Sequence, residues 1–160
     1  MLTAESVRAT IDYDPATGEM RWRADRNNRV RAGHRAGSMN GRGYISIEID
    51  GRSYLAHRVA WLHAKGSWPN GVVDHINGDC ADNRLTNLRD VSRFVNMQNR
   101  RRASSNSKSG LLGACPSGGK FRSTITVAGK TVNLGDYDTA EAAHLAYISA
   151  KRDMHQGCTI

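Results

Sequence analysis

Cysteine is scarce in this chain. Its three cysteines, Cys80, Cys115 and Cys158, are odd in number, widely spread and include no CxxC pair. Neither a disulfide framework nor a four-ligand zinc knuckle follows, and free thiols in a reducing compartment are expected. Long apolar runs are missing too: none approaches the roughly 18 residues of a membrane span. The N-terminus, with Glu5 and Arg8 inside it, lacks the apolar centre of a signal peptide. A soluble, intracellular protein without a membrane partner is therefore expected. There is no internal repeat, and 160 residues allow one medium domain or two small ones with limited cores. What is abundant is positive charge. Lys and Arg number 23 against 15 Asp and Glu, a formal net charge of +8, with a pI near 9.9. Such an excess fits a polyanionic partner, because side chains that neutralise phosphates release condensed counterions.

After a short helical start, Thr3 to Ala9, the stretch YDPATGEMRWR reads as a hairpin: Pro15 and Gly18 make the turn, and Met20 and Trp22 begin the return strand. Ala24 to Arg42 has arginines, glycines and asparagines but little apolar periodicity, and reads as a basic loop. Ile45, Ile47 and Ile49 alternate as on a half-buried strand, and Asp50-Gly51 is a type I′ turn into Ser53 to Ala56. Leu55, Val59 and Leu62 follow helical spacing up to Gly66. VVDHI is then a short strand, DNRLTNL a tight turn or one-turn helix and LRDV a second strand, and Ser92 caps a helix running to about Arg101. RASSNSKSG, Arg102 to Gly110, is polar enough to be a flexible linker.

Beyond the linker, Phe121, Ser123, Ile125 and Val127 fall on one strand face, and Lys120, Arg122, Thr124 and Thr126 on the other. Ala128-Gly129 turns the chain into Lys130 to Tyr137, where Val132 and Leu134 alternate with Thr131 and Asn133. Asp138 with Glu141 resembles a capping box, and Ala143, Ala146, Tyr147, Ala150 and Met154 form one stripe of a terminal helix. The predicted fold class is α+β: N-terminal β-hairpins leading into a ββα unit, then a small three-stranded antiparallel sheet with one helix on its apolar face. The predicted domains are 1–101, with the ββα core at about 72–101, and 111–160, joined by the linker 102–110.

The stretch VVDHINGDCADNRLTNLRDVSRFVNMQNRR, Val72 to Arg101, concentrates the chemistry. Asp74 and His75 are adjacent, so on a strand their side chains point to opposite faces. One can bind a cation while the other addresses a group nearby, and the helix containing Asn96 can bring a second oxygen ligand over Asp74. A carboxylate plus an amide oxygen, completed by waters and phosphate, suits a hard divalent cation, magnesium rather than zinc, with manganese as a possible substitute. A cation there stabilises the departing 3′ oxygen of a phosphodiester while His75, with an ordinary pKa near 6.5, takes the proton from an attacking water. Asn87 at the end of the turn could hold the far ring nitrogen of His75 through its side-chain oxygen, leaving Asn83 to organise the turn. Asn99, one helical turn after Asn96, competes for the ligand position. A calcium loop at Asn77 to Asp79 is rejected, because Ile76 occupies a ligand position and Leu85 stands where a bidentate Glu is needed. His57 reads as a packed, hydrogen-bonded histidine, and Trp22 and Trp61 as core.

These residues, with AHRVAWLHAKG before them, resemble the phage-type HNH endonucleases, the His-Asn-Asn branch of the ββα-metal (His-Me finger) nucleases that includes intron-encoded homing enzymes. The resemblance covers roughly Tyr44 to Arg101. It implies that Asp74 and Asn96 hold the metal, His75 is the general base and Asn87 orients it.

The tail GKFRSTITVAGKTVNLGDYDTAEAAHLAYISAKR is similar to the Apetala-type (AP2) DNA-binding domain, whose three-stranded sheet lies in the major groove. That similarity implies that Arg122, Thr124, Thr126, Thr131 and Asn133 meet DNA bases and that Lys120 and Lys130 meet phosphates. Phe121 stands where the family usually has tryptophan, and Cys115-Pro116 replaces a more basic first strand. Arg58, Arg100, Arg101 and Arg102 are further candidates for backbone phosphates. The reading is a magnesium-dependent endonuclease acting on double-stranded DNA in the cytoplasm of a phage-infected bacterium. One metal site per chain implies that a monomer nicks one strand, with a dimer on DNA left open. The rival readings are a DNA-binding regulator that uses a nuclease-like scaffold without catalysis, and an RNA-binding protein.

Overall fold

The computed structural model describes residues 2–160. It is a mixed α/β structure of small antiparallel sheets in two compact units, one reaching Ser92 and the other spanning Arg93–Ile160. Among the described residues no helix is long and apolar enough to cross a membrane.

The first unit opens with α1 (Ala4–Thr10), whose N-cap Thr3 accepts the Ser6 N–H at 3.2 Å while the Ser6 hydroxyl accepts the Thr3 N–H. The hairpin β1 (Ile11–Tyr13) and β2 (Met20–Trp22) follows where the turn residues predicted it. A second sheet has the order β3 (Ser38–Met39), β4 (Ile45–Ile49), β5 (Arg52–Leu55). Strand β3 lies inside the stretch expected to be loop. Its two residues, both exposed, are too few to print an alternating pattern, and pairing with Ser46 and Ile45 alone makes them a strand. Asp50 and Gly51 both have positive φ, 51° and 71°, as a type I′ turn requires. Helix α2 (Ala56–Lys65) ends at Gly66 in the left-handed region. Strands β6 (Val72–His75) and β7 (Leu88–Val91) then pair antiparallel, Asp74 opposite Arg89 and His75 opposite Leu88. Val7, Ile11, Ile47, Val59 and Leu62 are central to the shared core. Because α1 and the first hairpin bury their apolar faces in that core, the N-terminal segment is part of the scaffold beneath β6.

The second unit begins with α3 (Arg93–Gln98) and continues with β8 (Ala114–Ser117), β9 (Lys120–Val127), β10 (Lys130–Tyr137) and α4 (Ala140–Met154), in the sheet order β10-β9-β8. Helix α3 stops short of Arg101 and belongs to the second unit. Two ties explain this: Gln98 Oε1 accepts the Gly157 N–H at 2.9 Å, and Lys151 Nζ donates to the Arg100 carbonyl. Three expectations for the tail are corrected. Thr139, not Asp138, caps α4, accepting the Ala142 N–H at 3.1 Å. Lys151 is buried on the helix stripe while Met154 is 42% exposed, because the lysine finds a carbonyl partner that the periodicity could not reveal. Val132 is exposed at the end of β10, where the sheet thins beyond a bulge at Asn133 to Gly135. The alternation along β9 holds, with Ser123 and Ile125 buried and Lys120, Arg122 and Thr126 exposed.

Candidate active site

Asp74, His75, Asn83 and Asn87 are between 2% and 7% exposed. Four buried polar side chains around one short strand and its following loop must be hydrogen-bonded to be tolerated, and the pattern of those bonds defines the site. On β6, Asp74 Oδ2 receives Arg89 Nε at 2.9 Å and Nη2 at 2.8 Å from the facing strand. His75 is the last residue of the strand, and its Nε2 lies 3.4 Å from Asn83 Oδ1. That oxygen can only accept, so the contact is a hydrogen bond in the tautomer that carries the proton on Nε2.

The expected division of labour between the two asparagines is reversed in these contacts. Asn87 Oδ1 accepts the Asn77 N–H at 2.9 Å, and its Nδ2 donates to the Asp82 carbonyl at 2.8 Å. It closes the loop between β6 and β7, while Asn83 presents its oxygen to the imidazole. The reason is local: Asn87 sits in the 3-10 turn Leu85–Asn87 and its own carbonyl accepts the Ile76 N–H, so its side chain is directed along the loop backbone. Asn83 is held from outside the loop. Tyr13 Oη donates to the Asn83 carbonyl at 2.9 Å, and the Leu85 N–H donates to the Pro15 carbonyl at 3.0 Å. Burial pushes the Tyr13 hydroxyl up to about 12, with Asp14 and Asp82 adding to the effect. Asp79 and Asp82 spend their carboxylates within the loop, Asp79 on the Ala81 N–H and Asp82 on Asn77 and Arg84. The Arg84 hydrogen bonds hold Asp82 down at about 2.

Two aromatic rings flank His75. His57 lies edge-on at 4.8 Å between centroids, and Tyr44 at 5.9 Å. The Tyr44 hydroxyl is pushed up to about 12, first by the neighbouring Cys80 thiol and then by partial burial. Burial lowers the His75 pKa, against the raising effects of Asn83, Asp74, Asp79 and Asp82. A histidine kept neutral is one ready to accept a proton. His57 is forced further, to about 3, first by burial and then by the charges of His75 and Arg58, and its Nδ1 is buried without a hydrogen-bond partner.

His57 therefore makes stability depend on pH. Its folded pKa is below the unfolded value of 6.5, so the unfolded chain binds more protons between the two, and stability is lost as pH falls through that window. The slope from this residue approaches about 1.4 kcal/mol per pH unit between about 6.5 and 3. His63 and His75 shift in the same direction, so the contribution of His57 is the difference between parent and His57→Gln in urea midpoints from pH 7 to pH 4. The variant is expected to show the shallower dependence, and equal slopes would contradict this origin.

The remaining candidates are placed as follows. Asn96 is half-buried on α3 in the second unit. Asn99 is buried and its Oδ1 accepts from the Thr159 hydroxyl. Arg101 Nη2 turns to the carbonyl and hydroxyl of Thr159, both at 2.7 Å, while Arg100 and Arg102 are exposed. On the sheet, Arg122 forks onto Asp136 (2.8 and 3.1 Å), Lys120 pairs with Asp138 at 3.1 Å, Thr126 and Thr131 lie 3.3 Å apart, and Asn133 accepts the Gly135 N–H. Lys130 is exposed and Thr124 half-buried. Asn83, Tyr13, Tyr44 and Arg89 contact the candidate residues or their loop in ways that sequence reasoning missed. Only Arg89, opposite Asp74 in a two-strand register, had a signal that could have found it.

Among the described residues no three His, Cys, Asp or Glu side chains converge as a metal site. The donors present are a buried carboxylate and amide oxygens, which suit a hard, water-sharing cation.

Residues 54–98 match the family model described as HNH endonuclease. A solved structure titled "DNA binding and cleavage by the HNH homing endonuclease I-HmuI" is similar at 18% identity and a TM-score of 0.46, over 98% of this chain and 93% of that one. No curated protein matches the chain.

Proposed function

We propose that the protein is a metal-dependent DNA endonuclease that hydrolyses phosphodiester bonds. The observation that carries this reading is His75: a buried imidazole at the strand end, its Nε2 committed to Asn83, adjacent in sequence to the buried carboxylate of Asp74, within a segment that matches the HNH endonuclease family. Asp74, with Asn96 from the motif, would hold one magnesium ion, with manganese as substitute. Such an ion supplies charge stabilisation for the scissile phosphate and its leaving 3′ oxygen. His75 Nδ1 takes the proton from the attacking water, Asn83 holds the ring in the required tautomer, and Asn87 keeps the loop closed beneath both. Arg89 holds one oxygen of Asp74 and so fixes the carboxylate's orientation. One such site per chain makes nicking by a monomer the expected outcome.

Supercoiled plasmid relaxation in magnesium tests this. His75→Ala is expected to slow relaxation by about 10² to 10⁴-fold, the usual worth of a positioned base. Parental activity in the variant would refute the assignment and favour a DNA-binding protein without catalysis.

The outer face of the β8–β10 sheet is proposed as the sequence reader, as its AP2 similarity implies. Arg122, Thr124, Thr126, Thr131 and Asn133 would address base edges, and Lys120 and Lys130 phosphates, joined by Arg58, Arg100, Arg101 and Arg102 nearer the nuclease segment. Replacing Arg122 and Thr126 with alanine is expected to redistribute mapped cleavage ends while plasmid relaxation continues. An unchanged cleavage map would count against a reader.

A further inference from the structure

A recess of about 500 Å³ lies in the first unit, where β5 runs into α2. The His75 mechanism does not use it. Its volume falls within the range of small-molecule sites, and its chemistry is particular. Arg52 and Tyr54 alternate along β5, an edge strand of its sheet, and so share a face. The Tyr54 and Trp68 rings are stacked, 6.2 Å between centroids and 22° between planes. Trp68 is anchored through Nε1, which donates to the Leu2 carbonyl at 3.2 Å. The Arg58 guanidinium carbon sits 5.3 Å from the Trp68 ring centre, and Ser53 adds a hydroxyl. Among the described residues that line the recess there is no carboxylate.

Two guanidinium groups without an internal counter-charge call for an anion, and a guanidinium suits phosphate bidentately. The stacked Tyr54 and Trp68 rings, the latter anchored, call for a flat ring, and base-on-aromatic stacking tolerates any base. An inorganic anion would leave the rings unused, and an apolar ligand would strip water from the arginines without pairing them. A paired base in a duplex cannot enter, because both its faces are already stacked.

We propose that this recess binds one unpaired nucleotide, its base on the Trp68–Tyr54 platform and its phosphate between Arg52 and Arg58. Arg58 then exchanges the Trp68 ring for the phosphate. The nucleotide could belong to a DNA strand or be a free mononucleotide, which share this chemistry. For a strand, the proposal rests on the DNA-directed reading above but not on cleavage.

The test uses the full chain in chelator, so that no cutting occurs, with a fluorescent 2-aminopurine deoxynucleotide placed either unpaired in a duplex or paired in the same sequence. The parent is expected to bind the unpaired form roughly ten-fold more tightly, a typical worth of one stacked base. Trp68→Ala should abolish that preference and Trp68→Phe restore most of it. Arg52→Glu, at an exposed strand position, should weaken binding of the unpaired form. A deoxynucleoside monophosphate is the second arm. If it binds with the same Trp68 and Arg52 dependence while the two duplexes bind alike, the recess takes a free nucleotide and the proposal stands in that form. If neither probe responds to Trp68→Ala and Arg52→Glu, the proposal is wrong. The nuclease reading fails separately, through a His75→Ala variant that relaxes plasmid like the parent.

Discussion

Asp74→Asn is expected to lower magnesium-dependent cleavage by about 10³-fold with the fold retained. Asparagine keeps the shape of the side chain and an oxygen for Arg89, but removes the negative charge that attracts a hard cation. Metal stabilisation of a phosphoryl transition state is worth several kcal/mol, and each 1.36 kcal/mol is tenfold in rate. Asp74→Ala separates this from stability. The Asp74 side chain is 8% exposed and that of Arg89 24%, so deleting the carboxylate strands a largely buried guanidinium, at a cost of up to about 3 kcal/mol. The two variants should therefore be equally inactive in plasmid relaxation but differ in thermal midpoint, with alanine the lower. Cleavage by Asp74→Asn at the parental rate would remove this carboxylate from the chemistry.

Gly18→Ala should cost both stability and activity, although Gly18 lies in the N-terminal hairpin and not among the residues of the motif. Its φ is +77°, and a Cβ there would stand 2.5 Å from Arg84 N and 2.6 Å from the carbonyl carbon of Asn83. Left-handed backbone at a residue with a side chain costs of order 1 kcal/mol. The clash is with backbone, which cannot rotate aside, so the hairpin and the segment Asn83 to Leu85 must separate. That separation strains the Tyr13–Asn83 and Leu85–Pro15 hydrogen bonds. The contact from Asn83 Oδ1 to His75 Nε2 is already 3.4 Å, and a further half ångström ends it as a hydrogen bond. Loss of such an orienting partner typically costs 10- to 100-fold in activity. Asn83→Ala is expected to reproduce the rate loss without the hairpin clash, which identifies Asn83 as the intermediary. Urea midpoints and initial relaxation rates on both variants check this, and a Gly18→Ala protein with parental rates would show that the hairpin does not position the loop.

What could be read from the residues alone followed from periodic patterns. Ile45, Ile47 and Ile49 printed a strand, Asp50-Gly51 its turn, and Phe121 to Val127 the two faces of the C-terminal sheet, because regular backbone repeats its side-chain directions. The loop between His75 and Leu88 has no period, so the choice between Asn83 and Asn87 could not be made locally. Asn83 is held in part from far along the chain, by Tyr13, a contact spanning 70 residues. Lys151 was hidden for the opposite reason: it stands at a regular helical position where charge argues for solvent, and the Arg100 carbonyl makes its burial tolerable. The exposed strand β3 carried no signal at all, being two residues held by their partner's edge.

The most direct measurement is a crystal soaked in manganese and imaged by anomalous diffraction. A single anomalous peak within about 2.3 Å of an oxygen of Asp74 and of the Asn96 amide oxygen is expected, a distance set by hard-cation coordination. A peak elsewhere, or the two oxygens too far apart to share one ion, would contradict the proposed chemistry.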